Sequence, residues 1–253
     1  MRRTVDRLGV PRDLPILCGK PRATDLSGAR ELVRAVSGIR LMVRGNSRLR
    51  RYYRDAAARI RQSRTGGVRQ CPLSHIAAGL VPDVKANLST LTGQPFVATP
   101  GRLPVSEVLI HQLDTLPTLS GELTVVAARL GRVCPSVAGE DNAMITLRAS
   151  AAAAVPLIGN PCAHGFPSAL GDELPVLDSL GSISLSGNVL ACHGRWPARQ
   201  EHDMAACYWD SYTSAITHFA EALGSGAAFE TSPGDNLRTL RLVEDSYCPA
   251  GRA

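Results

Sequence analysis

The hydrophobic positions of this 253-residue chain change their period part-way along it. In the first third, short apolar runs alternate with helical spacing. Residues 14–18, LPILC, form an unbroken apolar run of strand length. Gly19-Lys20-Pro21 follows as a loop, where Pro21 turns the backbone of Lys20 toward an extended conformation. Leu26, Ala29, Leu32, Val33 and Val36 then recur at helical spacing, which predicts a helix over 25–37, capped by Thr24 or Asp25 and ended by Gly38. IRLMV (39–43) predicts a second strand. Strand, helix, strand implies a parallel pair. A strongly basic helix is predicted over 50–63. From Gly66-Gly67 to about Pro100 no period is sustained, which predicts loops with short strands.

A helix is expected over 104–119, and beyond it the period becomes two. Strands are predicted at 122–130, 142–149, 153–159, 174–178, 182–186 and 189–193. Strands in series without intervening helices imply an antiparallel sheet. Two helices close the pattern, at 208–223 and at 233–247, the second with Ser232 as cap and Pro233 at its first position. The fold class is α/β followed by α+β: an incomplete Rossmann-like parallel part, then a C-terminal mainly antiparallel sheet packed with helices. Such a sheet has one face under helices and the other exposed or paired with a second subunit, so a homo-oligomer through the C-terminal sheet is expected.

The helix at 104–119 carries the candidate chemistry. At 100° per residue, Glu107, His111 and Asp114 fall within an arc of about 60°, with Leu109, Leu113 and Leu116 opposite. An imidazole beside carboxylates is a proton-transfer group suited to neutral pH. The same spacing also fits a polar surface face in water. Asp114 is expected as a partner for His111 or a substrate contact. Asn46 and Arg48 follow the second strand at the end where α/β sheets bind ligands, facing either ligand or the adjoining loop. His164, in the loop NPCAHGFP, is a candidate substrate contact or a plain surface histidine.

Composition narrows the classes. An apolar content of 44% fits a globular chain and excludes a disordered one. The first residues show no signal-peptide h-region, and the longest apolar stretch, 149–158, is too short to span a membrane. Seven cysteines, an odd number without a C-x-x-C pair, point to free thiols in a reducing, cytoplasmic setting and to no zinc ribbon. The histidine spacings give no metal site. Net charge is +13 over residues 1–70 and −7 over the remainder. The basic third lacks a nucleic-acid motif, and aromatics at 4% leave few stacking platforms, so nucleic acid is not the expected partner. Lysine occurs only at positions 20 and 85.

Several segments, in order, resemble the Gfo/Idh/MocA oxidoreductases (glucose–fructose oxidoreductase, inositol dehydrogenase and relatives). LPILCGKPRATDLSGARELV is similar to that family's strand, E-K-P and helix. VSEVLIHQLDTLPTLSGEL resembles its central helix with an Asp-x-x-x-His pair. VAGEDNAMITLRA, GSISLSGNVLACHG and HFAEALGSGAAFETSPGDNLRTLRLVEDSY resemble its C-terminal strands and closing helices. The resemblance implies hydride transfer between NAD or NADP and a sugar, cyclitol or similar polyol. It implies catalytic roles for Lys20, His111 and Glu107, converging in one cleft, and cofactor contacts at Lys20 and Pro21. It also implies a division into residues 1–68, a remnant of a nucleotide-binding domain, and 69–253, a substrate and oligomerisation domain.

The chain departs from the pattern in three places. Gly19 replaces the glutamate of E-K-P. Glu107 stands where aspartate is usual, and Asp114 lies outside the Asp-x-x-x-His pair. Residues 1–60 hold no G-x-G of the pyrophosphate-binding turn. The expectation is therefore a truncated, mis-started or decayed family member with impaired nucleotide binding. The alternative is a non-catalytic remnant or partner subunit that keeps the C-terminal sheet.

Overall fold

The computed structural model describes residues 14–19, 26–62, 67–167 and 171–248. Two sheets organise them. The first is the parallel pair of β1 (Ile16–Gly19) and β2 (Leu41–Arg44), joined through α1 (Leu26–Ala35). Side chains alternate across it as a strand requires. Cys18, Leu41 and Val43 pack with Leu32 of α1 and Val36 just beyond it on one face. Leu17 and Met42 pack on the other with Ala215, Phe219 and Ala222 of a long C-terminal helix, α6 (Met204–Ser225).

The second sheet contains β3 (Val68–Gln70), β4 (Leu73–Ile76), β5 (Leu123–Gly131), β6 (Asn142–Ala149), β7 (Ala154–Asn160), β8 (Gly171–Asp178), β9 (Gly181–Ser186), β10 (Val189–Gly194) and β11 (Ala198–Glu201). Its order is β11-β10-β9-β8-β3-β7-β6-β5, with β4 beside β7 and β8. Pairing is antiparallel except where β3 and β4 meet β7. The six strands expected from period-two patterning form at the expected places. β3 and β4 arise inside the stretch predicted as loops with short strands, and β11 forms where the pattern predicts no strand. It is four residues long, two of its side chains are exposed, and its ARQE sequence has no apolar alternation.

One face of this sheet is the core. Ile145 and Leu147, Val155 and Leu157, Leu174 and Val176, Ile183 and Leu185 are all within it. Val126, Met144, Ile158 and Leu177 point the other way and are exposed. Burying each large aliphatic side chain contributes about 1.5–3 kcal/mol, which is why the alternation fixes the register. Tyr52 and Tyr53 of α2 (Arg51–Arg61) join the same core, as does α7 (Pro233–Tyr247), capped as predicted by Ser232, whose Oγ accepts from the Asp235 N–H at 3.2 Å.

The helix expected over 104–119 forms as three consecutive pieces rather than one regular helix. Pro104–Leu109 is wound as a π-helix, followed by α4 (Ile110–Thr115) and α5 (Pro117–Ser120). Pro117 lacks an amide hydrogen and opens a new turn. The wider π turn breaks the 100° spacing, so residues before and after Ile110 no longer follow one helical wheel. Burial differs accordingly: Ile110, Gln112, Leu113, Asp114 and Thr115 are all buried.

Candidate active site

The residues of interest gather where the parallel strands end. Gly19 and Arg44 are paired at the last position of β1 and β2. The Arg44 guanidinium lies over the ring of Tyr212 at 4.6 Å, and the Tyr212 hydroxyl meets that of Tyr208 at 2.9 Å. Among the described residues a Cβ added to Gly19 would meet only Arg44 Nη2, at 4.0 Å. Gly45 follows, and here space is short. A Cβ would stand 2.4 Å from Asp114 Oδ2, so only glycine lets the carboxylate pack against the chain.

That packing locates the central helix. Arg48 donates from Nε to Asp114 Oδ2 at 2.9 Å and from Nη2 to Asp114 Oδ1 at 2.6 Å, a two-pronged pair. Its Nη2 also lies 2.9 Å from Asp235 Oδ2, and Thr239 Oγ1 donates to Asp114 Oδ1 at 3.1 Å. Burial by itself would lower the Arg48 pKa, but the two carboxylates outweigh it and raise it. Asn46 is buried too, its Nδ2 3.2 Å from Ser211 Oγ.

The expected grouping of Glu107, His111 and Asp114 on one open face is therefore corrected. Asp114 is 2% exposed and turned to Arg48. The substrate contacts expected of Asn46, Arg48 and Asp114 fall on groups that are buried and already engaged in joining the loop after β2 to α4, α6 and α7. His164 is exposed on the turn after β7. Lys20 and Pro21 lie outside the described residues.

Glu107 and His111 are half-buried on successive turns of the central helix. Asp114, one turn beyond His111, touches Gly45, so the imidazole's turn of helix lies next to the ends of the parallel strands. Desolvation raises the Glu107 carboxyl above the usual glutamate range. A carboxyl group shifted this way is suited to exchanging protons nearer neutrality. Among the described residues no three His, Cys, Asp or Glu side chains gather to hold a metal ion, and no helix is long and apolar enough to cross a membrane.

A second polar cluster is not visible in the sequence. His75 Nδ1 is 2.7 Å from Asp172 Oδ1, Gln112 Nε2 donates to the same oxygen at 3.0 Å, and the Tyr53 hydroxyl donates to Oδ2 at 2.6 Å. Burial would raise the Asp172 pKa, but His75, Tyr53 and Arg50 outweigh it and lower it. Burial and the nearby Asp172 carboxylate push the Tyr53 phenol well above its ordinary value. These four residues come from four elements, so no sequence spacing joins them. The one available signal is the alternation in LSHI, which places His75 on the buried face of β4 with Leu73.

Comparison with known proteins gives this arrangement a context. No protein-family model matches the chain. A D-apiose dehydrogenase of Rhizobium rhizogenes is 27% identical over 97% of this chain and 72% of that protein. One from Paraburkholderia graminis is 28% identical over 98% and 68%. Among solved structures, an oxidoreductase from Agrobacterium radiobacter in complex with NAD+, L-tartaric acid and magnesium superposes with a TM-score of 0.87 at 26% identity, covering 98% of this chain and 74% of its own. These relatives are oxidoreductases of the Gfo/Idh/MocA type. The fold is shared more widely. An inositol dehydrogenase homologue from Azotobacter vinelandii, complexed with NADH and myo-inositol, gives a TM-score of 0.74 at 16% identity over 98% of this chain and 72% of that one. The architecture is thus that of Rossmann-like oxidoreductases with a C-terminal sheet domain.

Proposed function

We propose that this chain is an NAD- or NADP-dependent oxidoreductase acting on a secondary hydroxyl of a sugar, cyclitol or similar polyol. The observation that carries the reading is the likeness, over nearly the whole chain, to an oxidoreductase solved with NAD+. The half-buried Glu107 and His111 on successive turns of the central helix support it.

The residues fit the reacting end of a nicotinamide nucleotide. Among the described residues Gly19 leaves room at the end of β1, and Arg44 puts a cation at the end of β2. Residues 1–60 contain no G-x-G, the turn that cradles a diphosphate in such folds. When bound, the nicotinamide accepts the hydride from the carbinol carbon. The chain's own part is the proton. In this reading His111 accepts it from the substrate hydroxyl as the carbonyl forms, Lys20 hydrogen-bonds the same oxygen, and Glu107 receives or returns the proton at His111. In the same reading Lys20 and Pro21 contact the cofactor, and His164, exposed after β7, is a candidate contact for the substrate's remaining hydroxyls.

The same reading carries weak nucleotide affinity for this polypeptide alone. Scattered arginines attract phosphates but do not replace an ordered set of N–H donors, and their attraction falls with salt. Titration with NADH and NADPH at physiological salt, followed by nucleotide fluorescence, should show no saturation in the micromolar range. Saturable micromolar binding would remove the impairment and leave the dehydrogenase intact. At millimolar NAD+, turnover of D-apiose, myo-inositol or levoglucosan should fall about 100-fold or more in His111→Ala. If no polyol is oxidised, the alternative of a non-catalytic subunit, which the missing turn favours, takes its place. Assembly through the outer sheet face, where Val126 and Met144 are exposed, is then the property to measure by sedimentation.

A further inference from the structure

A cavity of about 190 Å3 lies between the segment after β4, the π-wound turn Pro104–Leu109 and the end of β7. Leu80, Val97, Leu103, Val108 and Leu109 make its walls apolar, and among the described residues His75 is the one titratable side chain that lines it. Leu109 reaches its place because residue 159 is glycine; a Cβ there would stand 2.7 Å from a Leu109 methyl. Neither Glu107 nor His111 lines the cavity, so a ligand bound in it is independent of the oxidoreductase reading.

We propose that this cavity binds a small neutral alcohol with an apolar body, whose hydroxyl meets Nε2 of His75. The imidazole is held ready for that contact. Nδ1–H donates to Asp172 Oδ1 at 2.7 Å, and among the described residues Nε2 makes no hydrogen bond, which leaves it for a ligand. Asp172 is itself fixed by Tyr53 and Gln112, so the ring loses little further entropy on binding.

Charge and size narrow the ligand. Among the described residues no lysine, arginine, aspartate or glutamate lines the cavity, so an ion would lose its hydration without gaining an opposite charge. A carbonyl needs the doubly protonated ring as donor, and an ammonium needs the neutral ring as acceptor. A hydroxyl both donates and accepts and so meets either form. An apolar cavity of about 150 Å3 suffices for benzene, so this one suits a ring of about six carbons bearing one hydroxyl. Ser89, Gln94 and Asn160 add further neutral polar groups.

The probe is cyclohexanol, titrated into the full chain by calorimetry and by saturation-transfer NMR. Saturable one-to-one binding is expected, with cyclohexanecarboxylate and cyclohexylammonium at least ten-fold weaker. Val97→Phe, which fills the cavity and leaves the His75–Asp172 pair untouched, should abolish binding. His75→Phe should weaken cyclohexanol at least ten-fold; if that variant fails to fold, Val97→Phe decides. Absence of saturation, equal affinity for the carboxylate, or unchanged binding in Val97→Phe would each overturn the proposal.

Discussion

Replacing Arg48 by methionine should be among the most damaging single changes in this protein. The guanidinium is 6% exposed and joins the loop after β2 to two helices through Asp114 and Asp235. Methionine keeps much of the aliphatic stem's volume, so the effect isolates the charge. Its loss removes two charge-assisted hydrogen bonds from Asp114, a carboxylate only 2% exposed, and leaves Asp235 with Arg238, at 3.1 Å, as its remaining partner. Breaking a buried pair from one side costs about 3–5 kcal/mol. For a chain of this size that lowers Tm by about 6–20 °C. Asp114→Asn should cost less, about 1–3 kcal/mol, because Arg48 keeps Asp235. The double variant Arg48→Met/Asp114→Leu should recover part of the loss, since apolar residues often replace a buried ion pair without penalty. Urea unfolding followed by circular dichroism at 222 nm measures all three, with an unchanged m-value as the check that the cooperative unit is the same. An Arg48→Met variant within about 1 kcal/mol of the parent, or a double variant no more stable than Arg48→Met alone, would refute the reasoning.

Other substitutions probe the same packing. Gly45→Ala puts a methyl 2.4 Å from Asp114 Oδ2 and should cost about 1–3 kcal/mol in urea unfolding; a silent substitution would mean that the Gly45–Asp114 contact is loose. Tyr53→Phe removes the 2.6 Å donor to buried Asp172 and should cost about 1–3 kcal/mol, an effect that disappears if Asp172 is already Asn. The Asp172 pKa is lowered in the folded state, so its contribution to stability is present above the unfolded value near 3.9 and is lost as pH falls through the folded one. An Asp172→Asn variant should therefore show a flatter loss of Tm below about pH 4 than the parent. Glu107 has the opposite sign: its raised pKa means folding disfavours the carboxylate, so stability declines as pH rises through the glutamate range. Glu107→Gln should raise Tm slightly at pH 7 while lowering turnover, and a fall in Tm would show that the carboxylate is stabilising.

The sequence by itself determined the order of elements, the antiparallel strands from residue 123 to 194 and the Ser232 cap. These rest on periodicity and on contacts a few residues apart, which are written locally. It also singled out Glu107 and His111, because their spacing spans one helical turn. It could not determine where Asp114 points. That depends on Gly45, Arg48 and Thr239, which come from distant parts of the chain, and on a π turn whose extra residue shifts the helical wheel. The same holds for the His75–Asp172–Tyr53–Gln112 cluster, which exists only because β4 pairs with β8 and both pack under α2 and α4. Local sequence sets which backbone states are accessible. Which buried polar groups meet is decided only when the sheet closes, because each must find a partner once water is gone.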